Sequence, residues 1–173
     1  GAKDFSDDDS ITYQEAVDVI SEIGVVDGYT GGDFKPTDVL TRGAAAKIIC
    51  NLILGPTTAS ALSASSAPFK DVPVSNTFAG YITYCAQEKI ISGYSDGTFR
   101  PASSITLAEG ATIALGLLGY SAEDYSGAYP SPQMALYHSL SLDKGLTAQA
   151  ASAPLTRHDA MYLFYNLLSA KNK

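Results

Sequence analysis

The chain has 173 residues, of which 46% are hydrophobic and 17% charged, a globular balance and not a disordered one. A net charge of −7 argues against nucleic acid as a partner, because neutralising phosphate needs clustered Lys and Arg. The longest apolar run, about 48–54 and broken by Asn51, is far too short to cross a bilayer.

The opening Gly-Ala-Lys-Asp has no apolar h-region, so an export signal is expected to have been removed or to lie outside this sequence. Asp7, Asp8 and Asp9 read as a solvated acidic run before a helix. That helix starts with a capping box, Thr12 and Glu15, and lays Tyr13, Ala16, Val17, Ile20 and Ile23 on one face. A second helix is expected after Thr41, with Ala45, Ile48, Ile49 and Leu52 inward. Residues 55–68 are rich in Ser, Ala and Thr and read as a linker or mobile loop. Helical spacing returns at Phe78, Tyr81, Ile82, Cys85 and Ala86. Residues 92–105 are full of turn chemistry, with Gly93, Asp96, Gly97 and Pro101, and Phe99 is expected to plug this loop into the core. Thr106 and Glu109 form another capping box, before Ala111, Ala114, Leu115 and Leu118. Residues 121–132 read as a connection, ending in Ser131 as a cap with Pro132 at the first helical position. A last helix after Thr156 presents Ala160, Leu163, Phe164, Leu167 and Leu168. No strand is expected. Cys50 and Cys85 both fall on apolar stripes and read as small buried hydrophobes; spacing alone does not argue a bond between them.

This succession repeats. The segment from Val25 through Gly28 and Tyr29 to Pro36 aligns without a gap on Ile90 through Gly93 and Tyr94 to Pro101, at a constant offset of 65. Val39, Leu40 and Thr41 then fall on Ser104, Ile105 and Thr106. A third copy shows mainly in its second half, where Leu155, Thr156 and Arg157 fall on Leu40, Thr41 and Arg42. The expected organisation is therefore all-α: helix–loop–helix units at 1–56 and 69–120, a linker at 57–68, and a degenerate third unit at 121–173.

The phrase from Ile91 to Pro101, ending in Ile105 and Thr106, closely resembles the S-layer homology motif. That family pairs an opening Phe-x-Asp-Val, supplied here by Phe69, Lys70, Asp71 and Val72, with a Gly-Tyr-x-Asp-Gly-Thr-Phe-x-Pro loop and a Thr-Arg-Ala-Glu helix start. The resemblance covers nearly the whole chain and is strongest over 69–120. It implies three repeats in a pseudo-threefold helical bundle on an exported, extracellular protein. It implies non-covalent attachment to the bacterial cell wall, with a secondary polysaccharide carrying ketal-linked pyruvate as partner. It implies also that the motif arginine serves grooves between repeats. The chain departs from the pattern in each copy: Thr41-Arg42 lacks the Glu, Thr106-Leu107 keeps Glu109 but lacks the Arg, and Thr156-Arg157 has Asp159 for the Glu. A groove built on Leu107 is therefore expected to be without its cation.

An arginine in the first turn of a helix is misplaced against the helix dipole by some tenths of a kcal/mol to about 1 kcal/mol. Arg42 and Arg157 sit there nonetheless. With the first-turn N–H groups after Thr41 and Thr156, each guanidinium makes an anion site suited to a carboxylate. The competing reading pairs Arg42 with Asp38 and Arg157 with Asp159. Tyr29 and Tyr94, after Gly28 and Gly93, either stack on a sugar face or pack beneath the loop. Asp96 either bonds sugar hydroxyls or organises its own turn. His138 and His158 lack neighbours at metal-ligand spacing, and no catalytic or cofactor motif stands out, so neither metal, cofactor nor enzymatic activity is expected. A monomer is expected, since three units close a core within one chain. Two other roles stay open: a protein-interaction or spacer module, and binding to peptidoglycan.

Overall fold

The computed structural model describes residues 37–171. The first helix, Gly28, Tyr29 and the acidic run at 7–9 lie outside the described residues. Among the described residues there are six helices and no strand, only isolated bridges, so the chain is all-α as expected. The helices are α1 (Arg42–Leu54), α2 (Pro56–Ser60), α3 (Ala79–Gln87), α4 (Leu107–Leu117), α5 (Ser131–Ser139) and α6 (Arg157–Lys171).

Local chemistry sets the helix ends. The Thr41 hydroxyl accepts from Ala44 N and starts α1. Gly55, at φ 81°, ends α1, and Pro56 then opens α2 at a position where its missing N–H is harmless. The stretch expected as a linker therefore begins as a helix, with Ala59 fully buried. Composition misled there, because small residues that suit a linker also suit close packing. The predicted capping box at α4 is present: Thr106 Oγ1 accepts from Glu109 N, and Glu109 Oε1 accepts from Thr106 N. At α5 the expected cap is one residue out, for Ser131 is already helical and follows Pro130.

Three chain segments close a ring just before α1, α4 and α6. Leu40 N donates to Leu155 O (2.8 Å), Leu155 N to Ile105 O (2.9 Å) and Ile105 N to Leu40 O (3.0 Å). Two residues on, Arg42 N, Leu107 N and Arg157 N donate to Ser103 O, Ala153 O and Asp38 O. Leu40, Ile105 and Leu155 are all buried. Each such burial contributes about 1.5–3 kcal/mol. α1 packs on α2 and α3, and α4 packs on α5 and α6. α6 is enclosed on all sides, with every residue from Asp159 to Leu167 buried.

Candidate functional site

The opening motif and the glycine-rich loop of the second unit are one structure. Asp71 accepts from Phe99 N and Arg100 N, both at 2.8 Å, and Lys70 N donates to Gly97 O. Desolvation works against the Asp71 carboxylate, but these N–H bonds outweigh it and hold its pKa below the ordinary value. Phe99 is fully buried, as expected, and packs on Phe69 with ring centroids 5.3 Å apart. Phe69 in turn lies against Gly93, where an added Cβ would meet its Cε1 at 2.2 Å. Glycine is therefore required at 93 by close approach. Asp96 organises its own turn: its carboxylate accepts from Thr98 N (3.0 Å) and Thr98 Oγ1 (2.6 Å), and from Arg100 Nη2 (3.3 Å). Those bonds, led by the Thr98 hydroxyl, bring its pKa down to about 2.

This braced loop forms one wall of a cleft of about 750 Å³. Its lining includes Arg42, Tyr94, Glu109, Tyr120, Tyr125 and Tyr129. Arg42 comes from the first unit and is only 2% exposed. Its Nε donates to Phe99 O (2.9 Å), its Nη2 to Ser92 O (2.7 Å), and its Nη1 to the Glu109 carboxylate. The guanidinium lies 4.7 Å from the ring centroids of both Tyr94 and Phe99. Glu109 Oε1 serves the α4 cap while Oε2 receives Arg42 and, at 3.3 Å, the Tyr94 hydroxyl.

The partner of Arg42 is thus Glu109 and not the neighbouring Asp38. The two incomplete motifs complement one another across units: the first supplies the cation, the second the anion. Leu107, at the position matching Arg42, is fully buried. Asp159, matching Glu109, accepts from Thr147 N (2.7 Å) and Ala148 N (3.1 Å). It therefore braces its own loop as Asp71 does.

The predicted site residues separate accordingly. Arg42, Gly93 and Tyr94 meet at the cleft. Thr41 and Thr156 act as helix caps, Thr156 Oγ1 accepting from Asp159 N. Asp96 is exposed on the outer side of its turn. Arg157 is half-buried at the start of α6, with its backbone N–H on Asp38 O. His158 bonds Gly145 O at 3.0 Å and packs on Tyr162, a structural role. Three further cleft residues, Tyr120, Tyr125 and Tyr129, belong to no motif and lie in and beside the connection expected at 121–132. The signal was present in the aromatic balance, eleven Tyr and no Trp. Arg100 lies over the Tyr94 ring, 3.8 Å from its centroid, while Tyr120, Tyr125 and Tyr129 line the same cleft with flat apolar rings and edge hydroxyls, which suits sugars that are apolar on one face and hydroxylated at the rim. Among the described residues no cluster of His, Cys, Asp and Glu could hold a metal ion.

Two segments, 4–46 and 68–111, match the family model of the S-layer homology domain and together make up half of the chain. A cellulosome-anchoring protein of Acetivibrio thermocellus is 46% identical over 86 residues, 50% of this chain and 19% of that protein. A surface layer protein of Brevibacillus choshinensis is 28% identical over 133 residues, covering 77% of this chain and 12% of the relative. The middle cell wall protein of Brevibacillus brevis is 26% identical over 155 residues, covering 90% and 14%. The chain therefore spans less than a fifth of the length of each of these relatives.

Proposed function

The chain belongs to the S-layer homology domain family, and from that membership we propose that it is the wall-binding part of a larger exported protein, held non-covalently by a cell-wall polysaccharide. It is a module of the cell wall and surface, with a structural, non-enzymatic role. Among the described residues no helix is long and apolar enough to cross a membrane. Residues 121–173 are read as a divergent third repeat and the protein as a monomer. The single observation that carries the binding site is the tyrosine-lined cleft around Arg42 and Glu109.

Two ligand chemistries fit. A pyruvylated polymer would place a ketal carboxylate near the guanidinium of Arg42, with Arg157 as the cation of a second contact. The pairing of Arg42 with Glu109 favours a second reading, in which this cleft takes a neutral sugar on its tyrosines and the ion pair only holds the floor. Co-sedimentation with purified wall separates them, before and after chemical removal of pyruvate, at low and high salt. A carboxylate contact weakens with ionic strength and disappears with the ketal; a stacked neutral sugar does neither. Tyr129, 55% exposed, is the residue to remove without disturbing the core. Tyr129→Ala is expected to reduce wall binding about three- to tenfold. A variant that binds as wild type overturns the cleft as the site. Failure to bind any wall overturns the tether altogether and leaves a protein-interaction or spacer role.

A further inference from the structure

Cys50 and Cys85 are 35 positions apart and belong to different repeats, yet their sulfurs lie 3.8 Å from one another. Cys50 is on α1 and Cys85 on α3, and both residues are 0% exposed. Each thiol has a second neighbour on the opposite helix, Cys50 Sγ near Tyr81 O (3.6 Å) and Cys85 Sγ near Ala46 O (3.8 Å). The two side chains therefore face each other across the packed α1–α3 contact. A disulfide needs a separation near 2.05 Å, so the sulfurs would close by about 1.8 Å, within reach of small χ1 adjustments on both side chains.

We propose that Cys50 and Cys85 form a structural disulfide that cross-links the first repeat to the second. The chemistry is thiol–disulfide exchange with a small-molecule disulfide. One cysteine thiolate attacks the oxidant and displaces half of it as a thiol. The second cysteine then attacks the mixed disulfide and displaces the other half. The two cysteines lose two protons and two electrons, and the oxidant takes both up as two thiols. The hydrogen bond that Cys85 donates to Cys50 and burial both push the Cys85 thiol well up, so the reaction belongs to the folding chain or to a transient opening of α1 from α3. Once made, the link is shielded by the same burial. It ties the helix that begins with Arg42 to the helix that ends five residues before Ser92, whose carbonyl holds that arginine. The inference does not depend on the identity of the cleft's ligand.

The test uses the full chain, first reduced and then incubated with cystine. A non-reducing digest should yield a Cys50–Cys85 linked peptide, with the intact mass lower by two hydrogens. The thermal midpoint should rise by roughly 5–15 °C and fall back on adding reductant. A Cys50→Ala, Cys85→Ala double variant should not respond to either reagent. Should that variant not fold, mapping of the wild-type chain decides alone. Two thiols still titratable in denaturant after cystine treatment, or cysteines carrying only mixed disulfides, overturn the proposal. So does a linked peptide whose formation lowers the midpoint.

Discussion

Arg42 ties the first unit to the loop of the second. It holds Phe99 O, Ser92 O and Glu109 together and is itself almost wholly desolvated. Arg42→Ala leaves the Phe99 and Ser92 carbonyls without their donor and Glu109 without its cation, a loss expected to cost about 3–5 kcal/mol. Thermal unfolding should show a midpoint lower by roughly 10 °C; an unchanged midpoint would mean that the ion pair is dispensable. Asp96 allows a pH test of the same loop. Its carboxyl titrates at about 2 in the folded chain, against about 4 in an unfolded one. Its contribution to stability is thus present above about pH 4 and is lost as pH falls toward 2. Asp96→Asn should therefore unfold at a slightly lower temperature than wild type at pH 7 and together with it near pH 2.

Among the elements, α4 joins fold to cleft. Its capping box orients Glu109, and Glu109 receives Arg42 with its other oxygen. Thr106→Ala should cost about 0.5–2 kcal/mol and speed amide exchange in the first turn of α4. Exchange confined to the chain ends would contradict this. Segments 55–68 and 121–132 show the limit of reading elements by composition. Ser, Ala and Thr at 55–68 are what a linker contains, yet Pro56 starts a helix and Ala59 is buried. In the second segment Tyr125 and Tyr129 face a cleft that no local pattern announces. Helices with periodic apolar faces were readable because their period is set locally. What a connecting segment covers is set by its neighbours.

For the whole molecule, the ring of Leu40, Ile105 and Leu155 makes the three segments interdependent. A chain ending at residue 120 would lose Leu155 from that ring and the enclosed helix α6 from the core. It is expected not to fold cooperatively as a monomer, a result visible as a missing thermal transition in circular dichroism. A cooperative transition would show that the first two units close a core without the third. The sequence by itself determined the all-α class, the helix starts at Thr41, Thr106 and Thr156, the buried Phe99 and the family, because caps, periodicity and repeats are written in neighbouring residues. It also placed Arg42 among the functional candidates. Only the tertiary structure decided that Arg42 pairs with Glu109 and not Asp38, that Cys50 meets Cys85, and that scattered tyrosines surround one cleft. Those pairs are 67 and 35 positions apart in the two cases that can be counted. Contact across such distances depends on how the repeats stack around the ring, which no local run of residues encodes.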